Sequence, residues 1–491
     1  MKPSKISALL LAAAIAVITL VSLVGCGGKG SPADTNAPSG GAAGNEAAAP
    51  ETGLAAEFTP EIKAELGLDG YEFVAYIRSE DWGAKDIYTE EQNGEALNDA
   101  TYLRNQYLTD TYGFTVKAVE SGSTYMPDFT NIVMAGESVY DVAFPMGREA
   151  GTFCQKGLLC DLGPLPYFDF NADCWNRMFN DTLAILGRRY YAAGDISTNL
   201  FSAVRAIMFN KSLVQKYQLD DPYATVKDGK WTLTVFDTMS HAVSADLNGD
   251  STMDLNDQWG MVWQSTISGI VFYYGAGEVL TPIDDTGTPY LRFGTDRSIE
   301  VFDWIQSMMK STEVYRLGTV EEGLNVFHGG RSLFYTEVMD KLTFLRDSET
   351  DLGVLPLPKW NEDQESYIQF MDSWCISPVV IPISASSPER SAFFAQALAE
   401  ASREYVRPAY YDVCLTGKYI RDNESEEMLD IIFGNCVLDN CDLYQWASLW
   451  FSIVDAFATS DGAASIAAKF SSKVEGEMQK TIDAVQSQAQ G

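Results

Sequence analysis

The sequence predicts an α/β protein built as two lobes, and three observations carry that reading. Short strand-like runs alternate with helical runs, which implies parallel sheets covered by helices on both faces. The 491 residues exceed what one core usually organises. No stretch repeats another, so the length does not come from a solenoid. A hydrophobic content of 46% with 21% charged residues fits a folded body.

The chain opens on a targeting segment. Lys2 and Lys5 precede an apolar stretch over 6–24, the pattern of a secretory signal. The stretch ends in Leu23-Val24-Gly25-Cys26, which resembles the lipobox of bacterial lipoproteins. That resemblance implies a signal over 1–25, removed in the mature protein, and a lipidated Cys26; two acyl chains give stable anchoring. A plain signal and an uncleaved anchor are the alternatives. Residues 27–57 are Gly, Ser, Ala, Pro and Asn with little else. They cannot bury a core and read as a flexible tether, with a reach on the order of 30 Å. The expected location is the extracellular face of the cytoplasmic membrane.

Charge narrows the partners. There are 68 Asp and Glu against 34 Lys and Arg, a formal net charge of −34. Nucleic-acid binding needs a basic stripe, which this balance opposes. Docking on anionic lipid by charge is opposed for the same reason. The chain is expected to act as a monomer.

Beyond the tether, 71–77 is rich in aromatic and β-branched residues and reads as a strand. A helix over 96–110, a strand over 113–119, a helix over 129–135 and a buried strand over 140–144 follow. Later come a strand over 203–209 and a helix over 235–245. Strand-like runs occupy 332–337, 353–356 and 373–381, with helices over 388–403, 421–432 and much of 444–486. The lobes are expected at 58–200 plus 374–410 and at 201–373 plus 411–491.

Four stretches resemble family 1 extracellular solute-binding proteins, the capture subunits of ABC importers. Phe209-Asn-Lys-Ser-Leu213 resembles that family's strand followed by Asn-Lys-x-Leu, and Trp231-Thr232 the pair opening its next helix. Phe327-His-Gly-Gly-Arg-Ser-Leu-Phe334 resembles its Phe-x-x-Gly-x-x-x-Phe segment. Leu352-Gly-Val-Leu-Pro-Leu-Pro-Lys-Trp360 resembles its Gly-x-x-Pro-x-Pro strand. Their order and spacing extend the resemblance over nearly all of the chain after Glu57. It implies the type II periplasmic-binding fold, with hinge strands joining two lobes and a ligand in the cleft. It further implies a sugar or oligosaccharide as ligand and an ABC permease as partner.

The sharpest local pattern runs from Asp246 to Asp257. Asp246, Asn248, Asp250, Asp254 and Asp257 occupy positions 1, 3, 5, 9 and 12 of an EF-hand-type loop, and the Thr252 carbonyl occupies position 7. Two departures stand out: Ser251 at position 6, where Gly is usual, and Asp257 rather than Glu at position 12. The loop resembles the dockerin-type calcium loop, in which Asp closes the set. A structural Ca²⁺ is expected here.

Ligands in open α/β sheets sit at the carboxyl ends of strands. The loop after the first strand offers Arg78, Asp81 and Trp82; the loop after the third offers Phe144 and Arg148. The crossing segment offers Asp195 and Asn199. The second lobe offers Trp263, Gln264, Tyr273 and Glu337, and the return segment offers Trp374. Sugars present apolar ring faces and many hydroxyls, so aromatic platforms beside carboxylates, amides and Arg suit them.

No nucleophile elbow, P-loop or zinc-protease motif occurs, and the only histidines are His241 and His328. A non-enzyme is therefore expected. A surface polysaccharide hydrolase or lyase, and a glycan sensor without transport, are the alternatives. Eight cysteines leave seven beyond Cys26; Cys154 with Cys160, and Cys436 with Cys441, could bridge, and unbridged thiols buried as small hydrophobes are the alternative.

Overall fold

The computed structural model describes residues 53–488, apart from 80–82, 123–124, 265–266, 346–349, 417–422 and 460. The chain divides into Met1–Ala48 and Ala49–Gly491. Cys26 and the signal belong to the first unit, outside the described residues; the second holds the folded body.

The first sheet is parallel, in the order β2-β1-β3: β1 Glu72–Ile77, β2 Thr115–Glu120 and β3 Val142–Phe144. Alternation along β1 sends side chains to two covered faces. Phe73, Ala75 and Ile77 join one core, where Phe73 stacks on Phe394 at 4.4 Å. Tyr76 points the other way and stacks on Tyr125 at 4.5 Å. The helix Ala96–Tyr112 between β1 and β2 ends at Gly113, whose φ of 88° provides the left-handed cap.

The second sheet has the order β6-β5-β7-β4-β8: β4 Arg205–Asn210, β5 Trp259–Gln264, β6 Tyr315–Gly318, β7 Ser332–Val338 and β8 Leu352–Leu355. β5 runs parallel to β6 and β7, but β4 is antiparallel to both its neighbours. This corrects the all-parallel expectation. β4 enters directly from the crossing segment, whereas β6 and β7 each follow a helix that returns the chain to the same edge. Thr232 caps the helix Leu233–Val243 by accepting from the Val235 N–H, as the Trp-Thr pair implied.

β9 Gln369–Phe370 pairs with β10 Cys436–Val437. The stretch read as one strand over 373–381 is a turn over 372–376 followed by a segment that bridges the first sheet through Val380 and Ala143 and the crossing chain through Val379 and Ala192. Asn199 ties this return segment to the outgoing crossing segment. Its Nδ2 donates to the Cys375 carbonyl at 3.0 Å, and its Oδ1 accepts from the Ser377 N–H.

The helix from Pro388 continues to Thr416, past Pro408. The C-terminal helix Ala463–Gln488 packs on the helix Gly147–Gln155: Gln155 donates to Thr481 and Gln488 to the Cys154 carbonyl, each at 2.9 Å. Cys154, Cys160, Cys174, Cys375, Cys436 and Cys441 are free thiols, so neither spaced pair bridges. Burial pushes the Cys160 thiol up to about 11 and Cys154 to about 12.

Candidate functional site

A cavity of about 450 Å³ opens at one edge of the second sheet, beside the helix that follows β3. β4 begins and β7 ends at the same edge, because they pair antiparallel with Arg205 opposite Val338. That edge brings Arg205 and Glu337 into the wall. After β3, the helix Gly147–Gln155 brings Arg148. Gly147 lies against the turn: a Cβ there would meet the Ser373 carbonyl at 2.9 Å, so only glycine lets the turn approach. The turn itself supplies Asp372, Trp374 and Cys375. The helix Leu449–Phe457 adds Trp450, Phe451, Val454 and Asp455, and Lys341 closes one side.

The wall carries matched charges. Arg205, fully buried, donates to Glu337 Oε1 at 2.8 Å and lies 3.6 Å from Asp372. Burial works against its charge, but the Glu337 and Asp372 carboxylates outweigh that and raise its pKa. Arg148 donates to Asp442 at 2.9 Å and to the Ser373 hydroxyl at 2.8 Å. Its guanidinium also lies 4.7 Å from the Phe451 ring centre and 5.8 Å from that of Trp374. Trp374 is 53% exposed and Phe451 41%, large values for such apolar side chains. The cavity therefore offers open ring faces beside a rim of paired hydrogen-bonding groups.

Of the residues expected to bind ligand, the structure gathers Arg148, Glu337 and Trp374 in this wall. Phe144, Trp263 and Tyr273 are wholly buried in the cores instead. The physical reason is that their sheet or helix is covered on both sides, leaving no face open to a ligand. Arg78 is buried and donates to the Ser377 hydroxyl at 2.9 Å, away from the cavity. Asn199 bridges the crossing segments. Asp195 belongs to a second, smaller cavity, where it accepts from Arg403 at 3.0 Å and Arg407 at 3.4 Å; burial raises its carboxyl despite both cations. Gln264 ends β5; its side chain, like Asp81 and Trp82, lies outside the described residues.

Sequence reasoning missed Arg205, Lys341, Asp372, Trp450, Phe451 and Asp455. One signal for Arg205 was present: a lone cation opening the apolar run Ala206-Ile-Met-Phe209. The adjacent Trp450 and Phe451 on a short helix were a second signal.

The 246–257 loop folds as a series of side-chain turns. Asp246 accepts from the Gly249 and Ser251 N–H groups at 2.7 and 2.8 Å, which lowers its pKa. Asn248 accepts from Asp250, and Asp250 from Thr252, both at 2.8 Å. Asp254 accepts from Asn256 at 2.7 Å. The buried Asp257 accepts from Leu247 at 2.9 Å and Asp254 at 2.7 Å. Ser251 takes φ 65°, the conformation for which this position usually holds Gly. The donor set is all oxygen, which suits Ca²⁺. Among the described residues, however, no three acidic, His or Cys side chains form a ready-made metal cluster.

No protein-family model and no curated protein matches the chain. Solved structures do. A cyclo/maltodextrin-binding protein complexed with maltotetraose aligns with TM-score 0.54 at 13% identity, over 86% of this chain and 98% of its own. An ABC transporter solute-binding protein from Thermotoga lettingae bound with α-D-tagatose gives 0.52 at 16% identity, over 83% and 100%. An ABC substrate-binding protein from Listeria monocytogenes in complex with cycloalternan gives 0.52 at 13% identity, over 84% and 100%. The sequence resemblance to family 1 and this likeness agree: the chain has the type II periplasmic-binding fold of ABC-transporter solute-binding proteins, two α/β lobes joined by hinge strands around a cleft.

Proposed function

We propose that the protein captures a sugar or oligosaccharide in the 450 Å³ cavity and delivers it unchanged to an ABC permease. The single observation behind this reading is the wall itself. Exposed Trp374 and Phe451 offer stacking faces, and Arg148, Arg205, Glu337 and Asp372 offer hydrogen-bonding groups beside them. The neighbours crystallised with maltotetraose, tagatose and cycloalternan support the same ligand class. Closure about the hinge would be a population shift, stabilised by contacts that form only when both lobes hold the ligand.

The protein is a binder rather than an enzyme in this proposal. It is a monomer, held at the extracellular face of the cytoplasmic membrane by a lipidated Cys26 and the 26–57 tether. The lobes are 58–200 plus 374–410 and 201–373 plus 411–491. A structural Ca²⁺ sits in the 246–257 loop on Asp246, Asn248, Asp250, Thr252, Asp254 and Asp257, and stiffens the link between the helix Leu233–Val243 and β5.

Calorimetry against a saccharide panel tests the capture role. Saturable binding with recovery of the intact sugar is expected. Binding to none of the panel, or recovery of a cleaved product, would remove the proposal.

A further inference from the structure

The charge of the ligand can be read from the cavity wall, on the saccharide reading above. Every wall cation has an acidic neighbour. Arg148 pairs with Asp442, and Arg205 with Glu337 and Asp372. Lys341 lies 3.6 Å from Asp340. Asp455 adds an exposed carboxylate at the rim. An anionic ligand would find no unmatched cation among the described wall residues, and would have to break an existing pair to gain one.

What the wall leaves unmatched is different. Glu337 Oε2, Arg205 Nε and Trp450 Nε1 are buried without a hydrogen-bond partner among the described residues. Glu337 Oε1 is already used, accepting from Arg205 at 2.8 Å and from the Val338 N–H at 3.0 Å. The wall thus holds one orphan acceptor and two orphan donors, and buried polar groups are seldom left so. A hydroxyl both donates and accepts, whereas a carboxylate only accepts. These three atoms are enclosed and do not face the cavity, so the wall meets a ligand through its overall charge; a neutral polyol adds none, whereas a uronate would bring a further negative group beside Glu337, Asp372 and Asp455.

We infer that this cavity takes a neutral saccharide and rejects acidic ones, and that the Glu337 carboxylate sets this preference by matching Arg205 and repelling a ligand carboxylate.

Calorimetry of the folded body tests it, with maltotetraose, cellotetraose, xylotetraose and mannotetraose as neutral probes and trigalacturonate and triguluronate as acidic ones. At least one neutral probe should bind, with both uronates weaker by about a hundredfold. Glu337→Gln removes the charge that matches Arg205 and should strengthen the uronates relative to the neutral probe; loss of packing alone would not produce that gain. Asp455→Asn, on an exposed residue, should also strengthen the uronates. Uronates binding more tightly than every neutral probe would overturn the inference and leave saccharide capture standing. Silence from both sets would remove both. Equal weakening of both classes in Glu337→Gln would overturn the role of Glu337. If circular dichroism shows that variant unfolded, Asp455→Asn decides, and no gain for uronates there counts against the inference.

Discussion

The Arg148 guanidinium and the Asp442 carboxylate meet 2.9 Å apart, with the acid wholly buried and the base at the cavity wall. Burial lifts Asp442 from its usual 3.8 to about 6; Arg148 pulls it down and Asp372 pushes it up.

Stability should record that lift. A folded-state value above the unfolded one means that the folded protein binds more protons between the two. Asp442 therefore contributes stability at low pH that is lost as pH rises from 3.8 towards about 6, and changes little above. Asp442→Asn cannot ionise and should lose this part of the slope. Melting temperatures of both proteins across that window check it. The wild type should fall relative to the variant as pH rises, and parallel curves would contradict the shift.

Removing the cation is the harsher change. Arg148→Ala leaves Asp442 buried without its partner and should cost about 3 kcal/mol in urea unfolding at neutral pH. It should also push the Asp442 carboxyl higher still, extending that window of falling stability to higher pH. Sugar affinity should fall, since the wall loses its cation beside Trp374.

Trp374 separates binding from folding. Half-exposed on its turn, it contributes little to either core, so Trp374→Ala should change stability by no more than about 0.5 kcal/mol. Saccharide affinity should nevertheless fall by about tenfold as a stacking face is lost. Calorimetry beside thermal melting checks both halves.

Phe144 is the converse case. Phe144→Ala opens a void in the first core and should cost about 3–5 kcal/mol. Below its lowered melting temperature it should bind saccharide with unchanged affinity, because Phe144 does not reach the cavity.

The acidic loop supplies a metal test. EDTA should lower the melting temperature and added Ca²⁺ should restore it, since an ion that binds only the folded loop stabilises by mass action. Asp250→Ala, on an exposed residue, should abolish the response. Indifference of the wild type to both reagents would remove the ion.

Much of the fold was legible because it is written in local patterns. The β-branched and aromatic run of β1, the Thr232 cap and the strand-helix alternation each depend on a few neighbouring residues. The site was less legible. Period-2 alternation tells which residues share a strand face, but a sheet covered on both sides buries both, so Phe144 and Trp263 could not be told from cleft aromatics. Arg205 finds its partner Glu337 only when β4 and β7 pair, 132 residues apart. Arg148 and Asp442 are separated by 294. Trp374 owes its exposure to a turn inside what reads locally as a strand.

The six thiols also make the molecule convenient to instrument. Five of these sulfurs are buried and Cys160 is half-buried, and burial holds the thiols protonated well past neutral pH, so a maleimide dye has little to attack among them. Once Cys26 and Cys414 are replaced, a cysteine introduced at exposed Phe344, three residues along the chain from Lys341 in the cavity wall, becomes a single attachment point. A fluorophore there would turn the capture of a solute into an optical readout.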